Sequence, residues 1–137
     1  MKFVTSSEKE TFDIGVKLAE KVMPGDIFLL EGSLGVGKSV FVRGIARGLG
    51  IDEPMPSPSF TILNEYKGKY PVYHFDFYRI NDPFELFEIG FEEYINSKGI
   101  SFIEWPDKAG ELIPDDAILI KIKLKNDKRE INIEWKN

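Results

Sequence analysis

Gly32-Ser33-Leu34-Gly35-Val36-Gly37-Lys38-Ser39 fits G-x-x-x-x-G-K-[ST], and each residue type in it suits the capture of a phosphate. Glycines admit backbone angles closed to other residues, so successive N–H groups can converge on an anion with no Cβ in the way. A helix expected to open at about Gly37 adds the positive end of its dipole. Lys38 can reach β- and γ-phosphates, and the Ser39 hydroxyl can ligate Mg²⁺. The chemistry is binding of a nucleotide with Mg²⁺, by residues 32–39 together with Val40.

Two carboxylates complete the constellation. Asp76 lies in YPVYHFDFYR, two residues after His74 and on the same face of a strand. An acid among Phe75, Phe77 and Tyr78 must be compensated, and a bound Mg²⁺ would do so. Glu104 ends the apolar run GISFIEW, which has parallel-strand character. In open α/β sheets ligands bind at the carboxyl ends of strands, so Glu104 could hold Mg²⁺ through water or polarise an attacking water. Its plain alternative is an exposed acid at a strand end.

The elements that must position these residues can be read in order. Residues 1–5 suit a short edge strand. Ser7-Glu8-Lys9-Glu10 is a capping-box pattern, and Ile14, Leu18 and Val22 recur at helical spacing, predicting a helix over residues 8–22. Met23-Pro24-Gly25-Asp26 turns into the strand 27–30 that feeds the loop. After it, Val40, Phe41, Ile45 and Leu49 give a second helical face, stopped at Gly50, with Arg43 and Arg47 on its solvated side.

Pro54, Pro56 and Pro58 exclude helix and central strand, leaving an ordered loop with hydroxyls at Ser57, Ser59 and Thr61. That loop is either a connection or a switch sensing γ-phosphate and Mg²⁺. Runs 61–66 and 70–78 about Lys67-Gly68-Lys69 read as an antiparallel hairpin. Asp82-Pro83-Phe84-Glu85 starts helix that runs to about Asn96, broken at Gly90. The tail alternates Ile118, Ile120, Ile122 with lysines and Ile131, Ile133 with glutamates. A two-residue turn at Asn126-Asp127 pairs Ile122 with Ile131, Ile120 with Ile133 and Lys123 with Glu130, and leaves a solvated lysine row.

Composition narrows the function classes. The 137 residues suit one domain over 1–137, long enough to bury a core, with the C-terminal β-hairpin as its last element. No apolar run approaches the ~20 residues that span a bilayer, and no secretory stretch opens the chain, so a cytoplasmic protein without a membrane partner is expected. Absence of cysteine excludes disulfides and thiolate sites, and one histidine argues against zinc. A net charge of −5 argues against broad nucleic-acid binding, so any link to RNA should run through a partner.

The guanine-reading N-K-x-D of GTPases is missing, and Asp107-Lys108-Ala109-Gly110 matches D-x-x-G by coincidence after Trp105-Pro106. No basic lid of the small-molecule kinases lies between Phe60 and Trp105. ATPase is the better reading, with a nucleotide-gated binding module of incidental hydrolysis or a small kinase as alternatives. No residue must be an arginine finger, although Arg43 and Arg79 are candidates, so hydrolysis by the chain alone should be slow.

Four blocks in this order, GSLGVGKS, SPSFTILNEY, HFDFYRI followed by NDPFELFEIGFEEY, and FIEWPD, resemble the TsaE (YjeE) family. Ser39 and Ser59 stand where that family usually has threonine, and both keep the hydroxyl. The resemblance implies a compact single-domain P-loop ATPase of α/β class, with a mixed parallel and antiparallel sheet flanked by helices, that serves bacterial tRNA threonylcarbamoyladenosine (t6A) synthesis and acts with the TsaB–TsaD pair, in which TsaD performs the transfer. By position it implies Lys38 and Ser39 on phosphate and Mg²⁺, residues 57–61 as a switch, Asp76 and Glu104 as the acids near metal and water, and Trp105 as the aromatic beside the site. Which acid is the base stays open.

Overall fold

The computed structural model describes residues 1–33, 35–58 and 61–135. Seven strands form one sheet in the order β1-β7-β6-β2-β5-β4-β3. These are β1 (Lys2–Thr5), β2 (Ile27–Glu31), β3 (Leu63–Lys67), β4 (Pro71–Asp76), β5 (Ile100–Glu104), β6 (Ile118–Lys125) and β7 (Lys128–Glu134). β2 runs parallel to β5 and β6, and β4 parallel to β5, while β1, β7 and β3 pair antiparallel at the two sides. The sheet is therefore mixed, with helices on both faces.

On one face lie α1 (Glu8–Leu18) and α2 (Lys38–Gly48). Ser7 caps α1 by accepting from the Glu10 N–H at 3.1 Å, while the Glu10 carboxylate accepts from the Ser6 N–H. Glycine sets how closely α1 meets α2: a Cβ on Gly15 would lie 2.7 Å from the Phe41 carbonyl oxygen, and one on Gly44 would run into the Phe12 backbone. Phe41, Ile45 and Leu49 of this layer pack on Phe28, Leu30, Phe102 and Ile120 of the sheet. The opposite face carries α3 (Phe84–Glu88) and α4 (Phe91–Ile95), separated at Gly90, over Phe75, Phe77 and Ile103. Asp82 and Glu85 cap α3, with the Glu85 carboxylate accepting from the N–H groups of Asn81 and Asp82.

Several boundaries differ from the sequence reading. The first helix stops at Leu18 and tightens into a 3₁₀ turn over Ala19–Lys21. The hairpin strands are Leu63–Lys67 and Pro71–Asp76, because Ile62 takes a positive φ of 68° before β3 and the Asp76 carboxylate turns back to bond Tyr78 N–H. β5 ends at Glu104, where Trp105 enters the left-handed region at φ 57° and leads into a 3₁₀ segment over Pro106–Leu112. The tail hairpin has the expected register, Ile122↔Ile131, Ile120↔Ile133 and Lys123↔Glu130. Its turn residues Asn126 and Asp127 both have positive φ, at 52° and 62°, as a tight two-residue turn requires. Among the described residues no helix is long and apolar enough to cross a membrane.

Candidate functional site

Parallel strands deliver the two acids together. β2, β4 and β5 finish at the same edge of the sheet, and the register Asp76↔Glu104 and Leu30↔Glu104 sets Asp76 beside Glu104, next to where β2 enters the glycine-rich loop. Side chains alternate along a strand, so Phe75 and Ile103 join the α3–α4 side, whereas His74, Asp76 and Glu104 point the other way, toward the start of α2.

The loop brings Lys38 to meet them. Gly37 precedes α2 with φ 111°, a conformation that a Cβ would oppose. Gly32 is required for a different reason: a Cβ there would lie 2.8 Å from the Ile122 carbonyl oxygen. The Lys38 side chain is 5% exposed and donates to the Gly32 carbonyl oxygen at 2.8 Å, with Nζ 4.2 Å from the centre of the Trp105 ring. Burial pushes its ammonium pKa down, and the charges of Glu104 and Asp76 work against that. Trp105 holds its place by packing on Tyr78, ring centres 5.0 Å apart.

The acids differ in their surroundings. Asp76 is buried, and its Oδ1 accepts from the Tyr78 N–H at 2.9 Å. Burial pushes its carboxyl above the usual carboxylate range; the Tyr78 hydrogen bond draws it back, Glu104 pushes it further up, and His74 and Lys38 lower it. Glu104 is also buried, and its Oε2 lies 2.7 Å from Nε2 of His74. The other ring nitrogen of His74, Nδ1, is buried without a hydrogen-bond partner among the described residues.

Of the residues singled out in the sequence, Gly35, Gly37, Lys38, Ser39, Val40, Asp76, Glu104 and Trp105 line one cleft of about 230 Å³. Gly32 lies in an adjoining cleft that shares Lys38 and Trp105 and also contains Asp107. Ser33 and Val36 line neither, although Val36 contributes its carbonyl to the loop's packing. Leu34, and Ser59 of the proline-rich segment, lie outside the described residues. Ser57 lines the cleft, whereas the Thr61 hydroxyl is turned to Asn64 at 2.9 Å. A larger cavity of about 670 Å³, along the β3–β4 hairpin, contains none of the singled-out residues.

Glu8 and Arg129 also line the site cleft and have no motif to announce them. The signal for Glu8 was its place at the start of α1; for Arg129 it was its position two residues past the tail turn, once β6 is known to adjoin β2. Neither Arg43 nor Arg79 lines the cleft: Arg43 is half-buried near Phe12, Ile51 and Asp52, and Arg79 is exposed.

Chemically, the arrangement offers oxygen ligands of the kind Mg²⁺ takes: two adjacent buried carboxylates, one pushed upward by burial and by the other, beside a serine hydroxyl. A cation there would relieve the repulsion. At the loop end, Lys38 and the N-terminus of α2 form a setting for an anion.

A family model, threonylcarbamoyl adenosine biosynthesis protein TsaE, matches residues 5–131. The tRNA threonylcarbamoyladenosine biosynthesis protein TsaE of Bacillus subtilis is 41% identical over 133 residues, covering 96% of this chain and 83% of that protein. The protein of the same description from Treponema pallidum is 34% identical over 134 residues, covering 97% and 99%. A crystal structure of Bacillus subtilis YdiB superposes with a TM-score of 0.85 at 36% identity, over all of this chain and 86% of that one. Matched nearly end to end at this level of identity, the chain belongs to the TsaE family, proteins of tRNA threonylcarbamoyladenosine biosynthesis.

Proposed function

We propose that this protein binds ATP with Mg²⁺ in the cleft and hydrolyses it, slowly alone and faster with a TsaB–TsaD complex, in service of the t6A modification of tRNA. The observation that carries the reading is the convergence of Lys38, Ser39, Asp76 and Glu104 on one cleft at the carboxyl edge of β4 and β5.

In this reading Lys38 exchanges the Gly32 carbonyl for phosphate oxygens, while Trp105 stays against its ammonium. Loop N–H groups and the first turn of α2 hold the polyphosphate. Ser39 and Asp76 hold Mg²⁺, which when bound neutralises charge on the β- and γ-phosphates. Glu104, oriented by the hydrogen bond from His74, positions and polarises water. The proline-rich loop, whose Ser57 lines the cleft, is the segment that carries occupancy to the surface. The chain's net charge of −5 fits contact with tRNA through the partner.

Steady-state ATP hydrolysis by the purified protein, alone and with TsaB–TsaD, tests this against Lys38→Ala as the blank. The expected result is low turnover that the partners raise and the variant abolishes. Binding of ATP with turnover at the blank's level, partners present, would replace the ATPase by a nucleotide-gated binding module.

A further inference from the structure

Arg129 reaches the glycine-rich loop from a strand two places away in the sheet. β6 continues four residues beyond its last pairing with β2, at Glu31↔Lys121, before Asn126-Asp127 sends β7 back along it. Arg129, opposite Leu124, is thereby level with the loop instead of with the sheet core. Its Nε–H donates to the Val36 carbonyl oxygen at 2.7 Å. A Cβ at residue 37 would lie 3.1 Å from that Nε and 3.2 Å from Cδ, so Gly37 leaves the side chain room to pass.

The side chain is half-buried and lines the same cleft as Lys38 and Ser39. Among the described residues no carboxylate forms an ion pair with it. Glu8, Asp76 and Glu104 line the same cleft without pairing to it; holding a guanidinium partly out of water with no carboxylate against it costs free energy, and an anion bound between its terminal nitrogens would offset that cost. With Nε spent on Val36, the two terminal nitrogens of the planar fork are still able to donate, and a phosphate matches their geometry.

We infer that Arg129 is an arginine supplied in cis to the phosphates of the bound nucleotide. Its Nε–H fastens the C-terminal hairpin to the loop, and its terminal N–H groups bring a second positive charge to the polyphosphate held by Lys38. The inference rests on the reading of the cleft as a nucleotide site, and it separates two roles: Arg129 acts on binding, and the partner acts on turnover.

The test is calorimetric titration of ATP in the presence of Mg²⁺ into the whole protein and its Arg129→Ala, Arg129→Gln and Arg129→Lys variants, with unfolding midpoints recorded for each. Glutamine keeps an N–H donor without the charge, and lysine keeps the charge. The expected result is affinity lowered about tenfold or more by alanine and by glutamine, with lysine between them and the wild type. Alanine or glutamine at wild-type affinity, or lysine no better than alanine, would overturn the inference in favour of a purely structural clasp on Val36. If alanine prevents folding, the glutamine–lysine pair decides. A wild-type protein that takes up no ATP would overturn the nucleotide reading itself, and the inference with it.

Discussion

The two faces of β4 and β5 are built from alternate residues of the same short segments, and they do opposite work. Toward α3 and α4, Phe75 meets Phe91, Phe77 and Tyr94 with ring centres 5.2, 5.7 and 5.9 Å apart, and Ile103 is fully buried beside them. Toward α2, the neighbours one residue along are His74, Asp76 and Glu104, buried together with Lys38. The first face removes apolar surface from water, at roughly 25 cal/mol per Å², and stabilises the fold. The second takes four ionisable groups out of water, and that opposes folding unless each finds a partner. A site of this kind is held in place by the face that takes no part in its chemistry.

That division can be attacked from either side. Phe75→Ala, on the aromatic face, is expected to cost about 3–5 kcal/mol in denaturant unfolding, since it empties the centre of the ring cluster. ATP affinity of the folded protein should remain that of the wild type; a parallel loss of affinity would show that the faces are not separable.

The change expected from Asp76→Asn is smaller and of opposite sign. Asp76 has a folded-state pKa above its ordinary value of 3.8, with burial the leading cause. Between those two values the folded protein retains a proton that the unfolded chain has lost, so stability falls as pH rises through that window. The variant should therefore unfold at a higher temperature than the wild type at neutral pH without nucleotide, and the difference should vanish below pH 3.8. A variant less stable than the wild type at neutral pH would mean that the ionised carboxylate is already satisfied without a cation. ATP turnover by the same variant should fall, which is the expected signature of a group kept for chemistry at the expense of stability.

How much of this was legible in the sequence follows from how local each feature is. The glycine-rich loop, the caps of α1 and α3, the break at Gly90 and the register of the tail hairpin are set by residues close along the chain, and the sequence carries them openly. Asp76 and Glu104 could be singled out as acids at strand ends, but their adjacency depends on β4 and β5 being neighbours, a matter of sheet order. The same is true of the His74–Glu104 hydrogen bond, across 30 residues, and of Arg129 on Val36, across 93. β6 running parallel to β2 is what carries the hairpin to the loop, and no residue of the hairpin announces it. The glycines of α1 and α2 look like weak helix positions until the two helices are seen in contact, where Gly44 admits the Phe12 backbone.

The central claim is that the cleft between the loop and the carboxylates is a site for ATP with Mg²⁺. Calorimetric titration of ATP into the wild type and Lys38→Ala, each with Mg²⁺ and with a chelator, addresses it most directly. The expected result is binding by the wild type that weakens without Mg²⁺, and binding at least about 10–100-fold weaker in a Lys38→Ala protein that still folds. Equal affinity in the two proteins, or wild-type binding indifferent to Mg²⁺, would contradict the account.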